Sequence, residues 1–205
     1  MLATPSTNVG SFEIAPGLRN TDWQELNLTP ESAGDDWTKA VAMFSKRMDR
    51  FLVPVDLMSS SEFSGFAIMA LDCLLIETLQ SFRLGRSNPV NTNDKQSKRM
   101  VVEFLTQRPL FKASFQDETK AKLFYDHFRN GILHQAEVKS SGRIRIDTPE
   151  MIMPSDDSQS LVVNRRIFHD ALAQEAKAYM RELVDGVDTD LRRNFIKKMK
   201  EICRI

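Results

Sequence analysis

The stretch Phe63–Leu84 constrains this chain more than any other. Phe63, Phe66, Ile68, Met69, Leu71, Leu74, Leu75, Ile76, Leu79 and Phe82 put apolar side chains on most faces of one helix. Such a helix has to be enclosed. A bilayer is one enclosure, but Asp72, Glu77, Thr78, Gln80 and Arg83 interrupt the run, and burying such groups in lipid is costly. The expectation is the central helix of a bundle in a soluble, cytoplasmic protein with no membrane partner. Ser59-Ser-Ser-Glu62 offers a capping box before it, and Gly85 a stop after it.

Other helices follow from apolar periodicity. Trp37, Val41, Phe44, Met48 and Phe51 recur at three- and four-residue steps, which predicts a helix over Asp35–Leu52. Asp35 or Asp36 is placed to cap it and Pro54 to end it. A shorter helix is expected over Lys95–Thr106, with Met100, Val101, Phe104 and Leu105 inward, after a polar loop from Arg86 to Asp94. Asp117 opens a helix to Gln135 whose core side is Ala121, Phe124, Phe128, Ile132 and Leu133. Two more helices cover Arg165–Val184, in which His169 reads as a boundary residue, and Asp188–Arg204.

Between them the period changes. Glu137–Lys139 and Arg143–Ile146 alternate around Ser140-Ser-Gly142, the pattern of a β-hairpin. Met151–Met153 and Leu161–Val163 are candidate short strands. The expected architecture is mainly α, an antiparallel helical bundle over residues 34–205 with a small β insertion at about 137–164. Residues 1–33 form an arm, partly extended. Its apolar residues, among them Phe12, Ile14 and Trp23, either pin it to the body or pack on a partner.

Composition removes several classes of function. The 28 basic and 28 acidic residues balance, which excludes a globally basic nucleic-acid binder but not a local basic patch. Cys73 and Cys203 belong to no CxxC pair, so neither a disulfide framework nor a thiolate zinc site is expected, and a reducing compartment fits. The first residues lack the charges and apolar core of a signal peptide. No Gly-rich phosphate loop or nucleophile elbow occurs. His127 and His134 are two helical turns apart, about 10.5 Å along the axis, too far for one metal. His134 and Glu137 give a single, reversed version of a di-iron pattern. No metal and no cofactor are expected.

The string that carries chemistry is Tyr125-Asp-His-Phe-Arg129-Asn-Gly-Ile-Leu-His134-Gln-Ala-Glu137. Asn130 and His134, four apart, share a helix face. Arg129 lies about 140° around the helix from His134, and its side chain is long enough to bend back. Guanidinium, amide and imidazole then meet near one point. An imidazole moves protons near neutral pH. A guanidinium clamps phosphate through two hydrogen bonds and stabilises added charge. The 2′-hydroxyl of RNA brings its own nucleophile. Gly131 costs about 1 kcal/mol against Ala in mid-helix, and close approach of a partner helix or substrate would explain it. The structural alternative pairs Arg129 with Asp126 or Glu137, buries His134 in the core and uses Asn130 for a helix-to-helix hydrogen bond. Glu77, mid-helix among large apolar residues, needs a partner. It either orients Arg129 or His134, or bridges to Arg83 or faces solvent.

Arg129-Asn-Gly-Ile-Leu-His134 resembles the Arg-x4–6-His motif of the HEPN superfamily of metal-independent ribonucleases, including the polar residue after the Arg. Leu75-Ile-Glu77-Thr-Leu-Gln-Ser-Phe-Arg83-Leu-Gly85 is similar to the preceding long helix of some members. The resemblance covers Ser60 to Glu137 and leaves the arm, the β insertion and the last two helices unexplained. It implies a homodimer with both motifs in one composite cleft, RNA as substrate, and products ending in a 2′,3′-cyclic phosphate and a 5′-hydroxyl. Arg129 would hold the scissile phosphate, His134 act as acid or base, and Asn130 hold substrate or position the histidine. An upstream acid such as Glu77 acts on the pair in some members. Toxin, RNA-processing or anti-phage roles, with an antitoxin or regulatory partner, follow from the family. The alternatives are a non-catalytic dimerisation or ligand-binding module of the same fold, and an unrelated bundle with a chance motif. The basic residues of the last helix, Arg192, Arg193, Lys197, Lys198, Lys200 and Arg204, either meet RNA phosphates or form a solvated face.

Overall fold

The computed structural model describes residues 10–86 and 94–205. The loop expected from Arg86 to Asp94 lies, except for its ends, outside the described residues, as does the start of the arm.

The described part of the arm is docked on the body. Strands β1 (Glu13–Ala15) and β2 (Leu18–Arg19) form an antiparallel hairpin that leads into a short helix, α1 (Asn20–Gln24). Ile14 and Trp23 are buried in the common core. Arg47 and Arg50, from the next helix, both donate to the Ile14 carbonyl.

Helix α2 (Asp35–Met58) runs on through Pro54, which was expected to end it. Proline removes one intrahelical bond, but Val55 just beyond it is 2% exposed, and core packing holds the last turn. The residue before the helix is Gly34, at φ 113°. Neither expected aspartate caps it, and Asp36 instead accepts from the Asn27 amide at 3.0 Å. Helix α3 (Gly65–Leu84) also begins later than its serine run suggests, without a capping box. The Ser64 hydroxyl turns back to the Ser61 carbonyl at 2.7 Å. Gly85 closes α3 in the left-handed conformation at φ 57°. By length and composition α3 could cross a membrane, yet 56% of its most apolar window is buried within the protein.

Helix α3 packs against α2, α4 (Asp94–Gln107), α8 (Arg165–Asp185) and α9 (Thr189–Cys203), and more lightly against later elements. Asn164 caps α8 by accepting from the amides of Arg166 and Ile167, and Asp188 caps α9 through Leu191. Phe44 meets Phe82, Tyr179 and Phe195 edge to face, with centroids 4.8–5.6 Å apart. These four rings from α2, α3, α8 and α9 join the helices into one mainly helical core.

A short helix, α5 (Pro109–Lys112), precedes the segment Asp117–Gln135. That segment is not one regular helix. Asp117 caps α6 (Glu118–Leu123) as expected, accepting from Thr119 at 2.8 Å. A π-helical turn follows over Phe124–Arg129, and α7 (Asn130–Gln135) completes the run.

The expected hairpin around Gly142 does not form. Ala136 and Ser140 adopt positive φ angles of 54° and 57°, and Glu137–Lys139 folds back over the helix instead of pairing with the next strand. The Lys139 amide donates to the His127 carbonyl at 3.0 Å. The strand β3 (Arg143–Arg145) pairs in parallel with β5 (Leu161–Asn164), and β4 (Ile152–Pro154) pairs antiparallel on the other side of β5. Ile144 of β3 packs over Gly65 of α3, where an added Cβ would stand 3.3 Å from its methyl.

His169, expected at the boundary, is only 7% exposed. Its Nδ1 meets Asp72 Oδ1 at 2.7 Å, a link between α8 and α3. Burial works against a charge on His169, but the bond to Asp72 and its field prevail and raise its pKa above the ordinary 6.5.

Candidate functional site

Glu77 of α3, Arg129 at the end of the π turn, and Asn130 and His134 of α7 come together at one point. Arg129 Nε donates to Glu77 Oε1 at 2.5 Å. Its Nη1 donates to Asn130 Oδ1 at 3.1 Å and lies 3.3 Å from His134 Nε2. The Tyr125 ring supports the guanidinium, with Cζ 5.4 Å from the ring centroid. Neither partner of the structural alternative is used, since Asp126 pairs with Lys98 and Glu77 takes the arginine. Arg83 is committed to Glu182 through two bonds of 2.7 and 2.9 Å, so Glu77 does not bridge to it.

The local sequence explains the placement. Phe124, Tyr125 and Phe128 are fully buried and fix the π turn against the core. Phe124 stacks on Phe168 of α8 at 5.0 Å and on Phe128 at 5.5 Å. Arg129 therefore leaves the helix at the seam between the π turn and α7. Gly131 serves the chain's own return rather than a partner helix. A Cβ there would lie 2.4 Å from the Glu137 carbonyl oxygen. His134, in the last turn of α7, is left exposed.

Glu77 secures the charge of Arg129. Burial opposes the Arg129 charge, but the bond to Glu77 and its field outweigh it and raise the guanidinium pKa above its ordinary value. A guanidinium has only donors, so the contact to His134 requires Nε2 to accept.

Arg129, Glu77 and His134 line a cavity of about 530 Å³. Asn130 holds the arginine without lining it. The wall adds Arg47 of α2, Arg86 after α3 and Ser97 of α4, which no sequence pattern singled out, and Lys198 of α9, one of the basic residues of the last helix. They are scattered over 150 positions of polar helix faces, and no local pattern marks them. Five basic side chains, counting His134, face one carboxylate, Glu77. Of the basic residues in the last helix, Arg192 is 4% exposed and donates to the Leu183, Val184 and Ser32 carbonyls, so it is structural. Among the described residues no group of three or more His, Cys, Asp or Glu side chains is arranged to hold a metal ion.

No family model, curated protein or solved structure matches the chain.

Proposed function

We propose that the chain is an endoribonuclease of the HEPN type, with a HEPN-like antiparallel bundle, that cleaves single-stranded RNA through its 2′-hydroxyl without a catalytic metal. The observation that carries this reading is the 3.3 Å approach of Arg129 Nη1 to His134 Nε2 at the wall of a cation-rich cavity. A phosphodiester entering the cavity competes with the imidazole for the guanidinium. As Nη1 turns to the phosphate, the Nε2 lone pair is released. His134 Nε2 then takes the 2′-hydroxyl proton, and the 2′-oxygen attacks phosphorus. Charge on the phosphorane oxygens is met by Arg129. The bond to the 5′-oxygen breaks, that oxygen takes a proton from solvent, and a 2′,3′-cyclic phosphate remains. Glu77 positions Arg129 and is not a proton carrier in this scheme. The π turn supports the reading as well, because such turns recur at functional sites.

The reading brings with it a homodimer, as the family resemblance implies, with an interface at or beside the segment Asp117–Gln135. Light scattering should then give twice the mass of the chain, and a strict monomer at high concentration would count against the composite cleft. Toxin, RNA-processing or defence roles remain what the resemblance implies.

One observation favours a second reading. Arg129 is ion-paired, with a side chain 14% exposed, as expected of a structural arginine in a non-catalytic binding module. Incubation of purified protein with labelled RNA in EDTA separates the two. Under the first reading wild type cleaves, and His134→Ala loses roughly 10²–10⁴-fold in rate. Arg129→Ala is also severely impaired. Equal cleavage by wild type and His134→Ala would reject the assignment.

A further inference from the structure

We propose that the side of the cavity formed by α2, α4 and the end of α3 is a subsite for the nucleotide that flanks the scissile phosphate, with Arg47, Arg86 and Ser97 on its phosphate. The inference rests on the RNA reading of the Arg129–His134 site.

Three observations converge on an anionic occupant. Ser97 is 8% exposed, lines the cavity, and its hydroxyl has no hydrogen-bond partner among the described residues. A buried polar group left unpaired is costly. Arg47 Nε is likewise buried without a partner among the described residues, although the same side chain donates elsewhere to the Ile14 carbonyl. Neither Arg47 nor Arg86 has a carboxylate partner among the described residues. Burial and the neighbouring Arg50 push the Arg47 pKa down to about 10, the response of a cation without a counter-ion. Both atoms are closed off from solvent, so a phosphate oxygen accepts from the arginine Nε and the serine hydroxyl once their side chains turn toward the cavity that the two residues line. Lys198 is a different case, because Glu201 at 2.8 Å already neutralises it.

The rest of the wall fits a base. Leu74, Phe82, Met100 and Ile202 line the same cavity. Its volume of about 530 Å³ falls within the roughly 300–1,000 Å³ of small-ligand sites. Basic side chains that follow the backbone beside an apolar surface for bases are the design of single-strand sites. The residues that would hold the flanking phosphate and those that would hold the scissile one line the same cavity, as two positions along a single strand require.

The test measures binding apart from cleavage. A short fluorescent RNA with 2′-O-methyl groups throughout cannot be cut through the 2′-oxygen. Its affinity for the full chain is read by anisotropy across a salt series. Arg86→Gln should weaken binding roughly 10-fold and reduce the slope of log affinity against log salt by about 0.7–1. Ser97→Leu, which fills the cavity and removes the orphan hydroxyl, should weaken binding at least as much without a change in slope of that size. It carries the test if Arg86→Gln does not fold. A folded Arg86→Gln with wild-type affinity and slope overturns the subsite, and so does a wild type that does not bind the probe. Cleavage of the unmodified RNA is scored separately. Cleavage together with wild-type binding by Arg86→Gln rejects the subsite alone. The expected binding changes without cleavage reject the ribonuclease reading alone.

Discussion

Arg129 Nη1 and His134 Nε2 lie 3.3 Å apart although five positions separate them on a helix. Five α-helical steps rotate a side chain by about 140°, so the approach depends on a long arginine held from behind. Glu77 takes Nε, Tyr125 lies under the guanidinium plane, and Asn130 accepts from Nη1. Three neighbours thus set the direction of one cation before any substrate arrives.

Glu77 should therefore matter through Arg129. Glu77→Gln keeps an acceptor for Nε but removes the charge, and roughly a tenfold loss in cleavage rate is expected. Glu77→Ala should lose more, and should destabilise the fold by about 1–2 kcal/mol as a partly buried charged hydrogen bond disappears. Rate and urea midpoint measured on both variants check this. A Glu77→Ala protein with wild-type rate would show that Arg129 needs no positioning.

The Asp72–His169 pair predicts a pH dependence of stability. His169 holds its proton more tightly in the folded than in the unfolded chain, since Asp72 raises its pKa above 6.5. Its contribution is complete below the unfolded value and is lost as pH rises through the higher native value. Melting temperatures between about pH 6 and pH 9 should fall more steeply for wild type than for His169→Gln. Burial raises the Asp72 pKa against the pull of His169, so His169→Ala leaves a buried carboxyl that either protonates or stays charged without a partner, and it should cost roughly 3 kcal/mol, a drop on the order of 10 °C. Parallel pH profiles for wild type and His169→Gln would contradict the charged pair.

The turn after α7 predicts two opposite effects. Ala136 sits at φ 54°, where glycine is free of the Cβ penalty, so Ala136→Gly should stabilise by about 0.5–1 kcal/mol. Gly131→Ala should gain about 1 kcal/mol on propensity alone. Its Cβ would instead strike the Glu137 carbonyl at 2.4 Å, and a net loss of about 1–3 kcal/mol is expected. Chemical denaturation of the two variants decides both signs.

The helices were legible because burial repeats at helical spacing. Met100, Val101, Phe104 and Leu105 all point inward as the pattern requires, and the choice of Asp117 as a cap needed only local chemistry. The partners open to Glu77 were legible too, since a carboxylate within an apolar helix has to find a cation. What was hidden depends on tertiary contacts. Pro54 stays helical because Val55 docks, and Arg143–Arg145 pairs with Val162–Asn164, 19 positions on, rather than with its neighbour. Residue types alone do not announce a π turn, because the same phenylalanines satisfy a regular helix. The cavity wall joins Arg47, Arg86, Ser97 and Lys198 from four separate segments, a juxtaposition that no window of the sequence contains.

Cleavage of RNA by Arg129 and His134 through its 2′-hydroxyl is the proposal on which the site's chemistry depends. An oligodeoxynucleotide with one internal ribonucleotide, incubated with the protein in EDTA, tests this most directly. One cut is expected, immediately 3′ of the ribonucleotide, leaving a 2′,3′-cyclic phosphate. His134→Ala should make that cut roughly 10²–10⁴-fold more slowly. Cleavage at the deoxynucleotides, or a cut at the ribonucleotide that His134→Ala makes as fast as wild type, would contradict it.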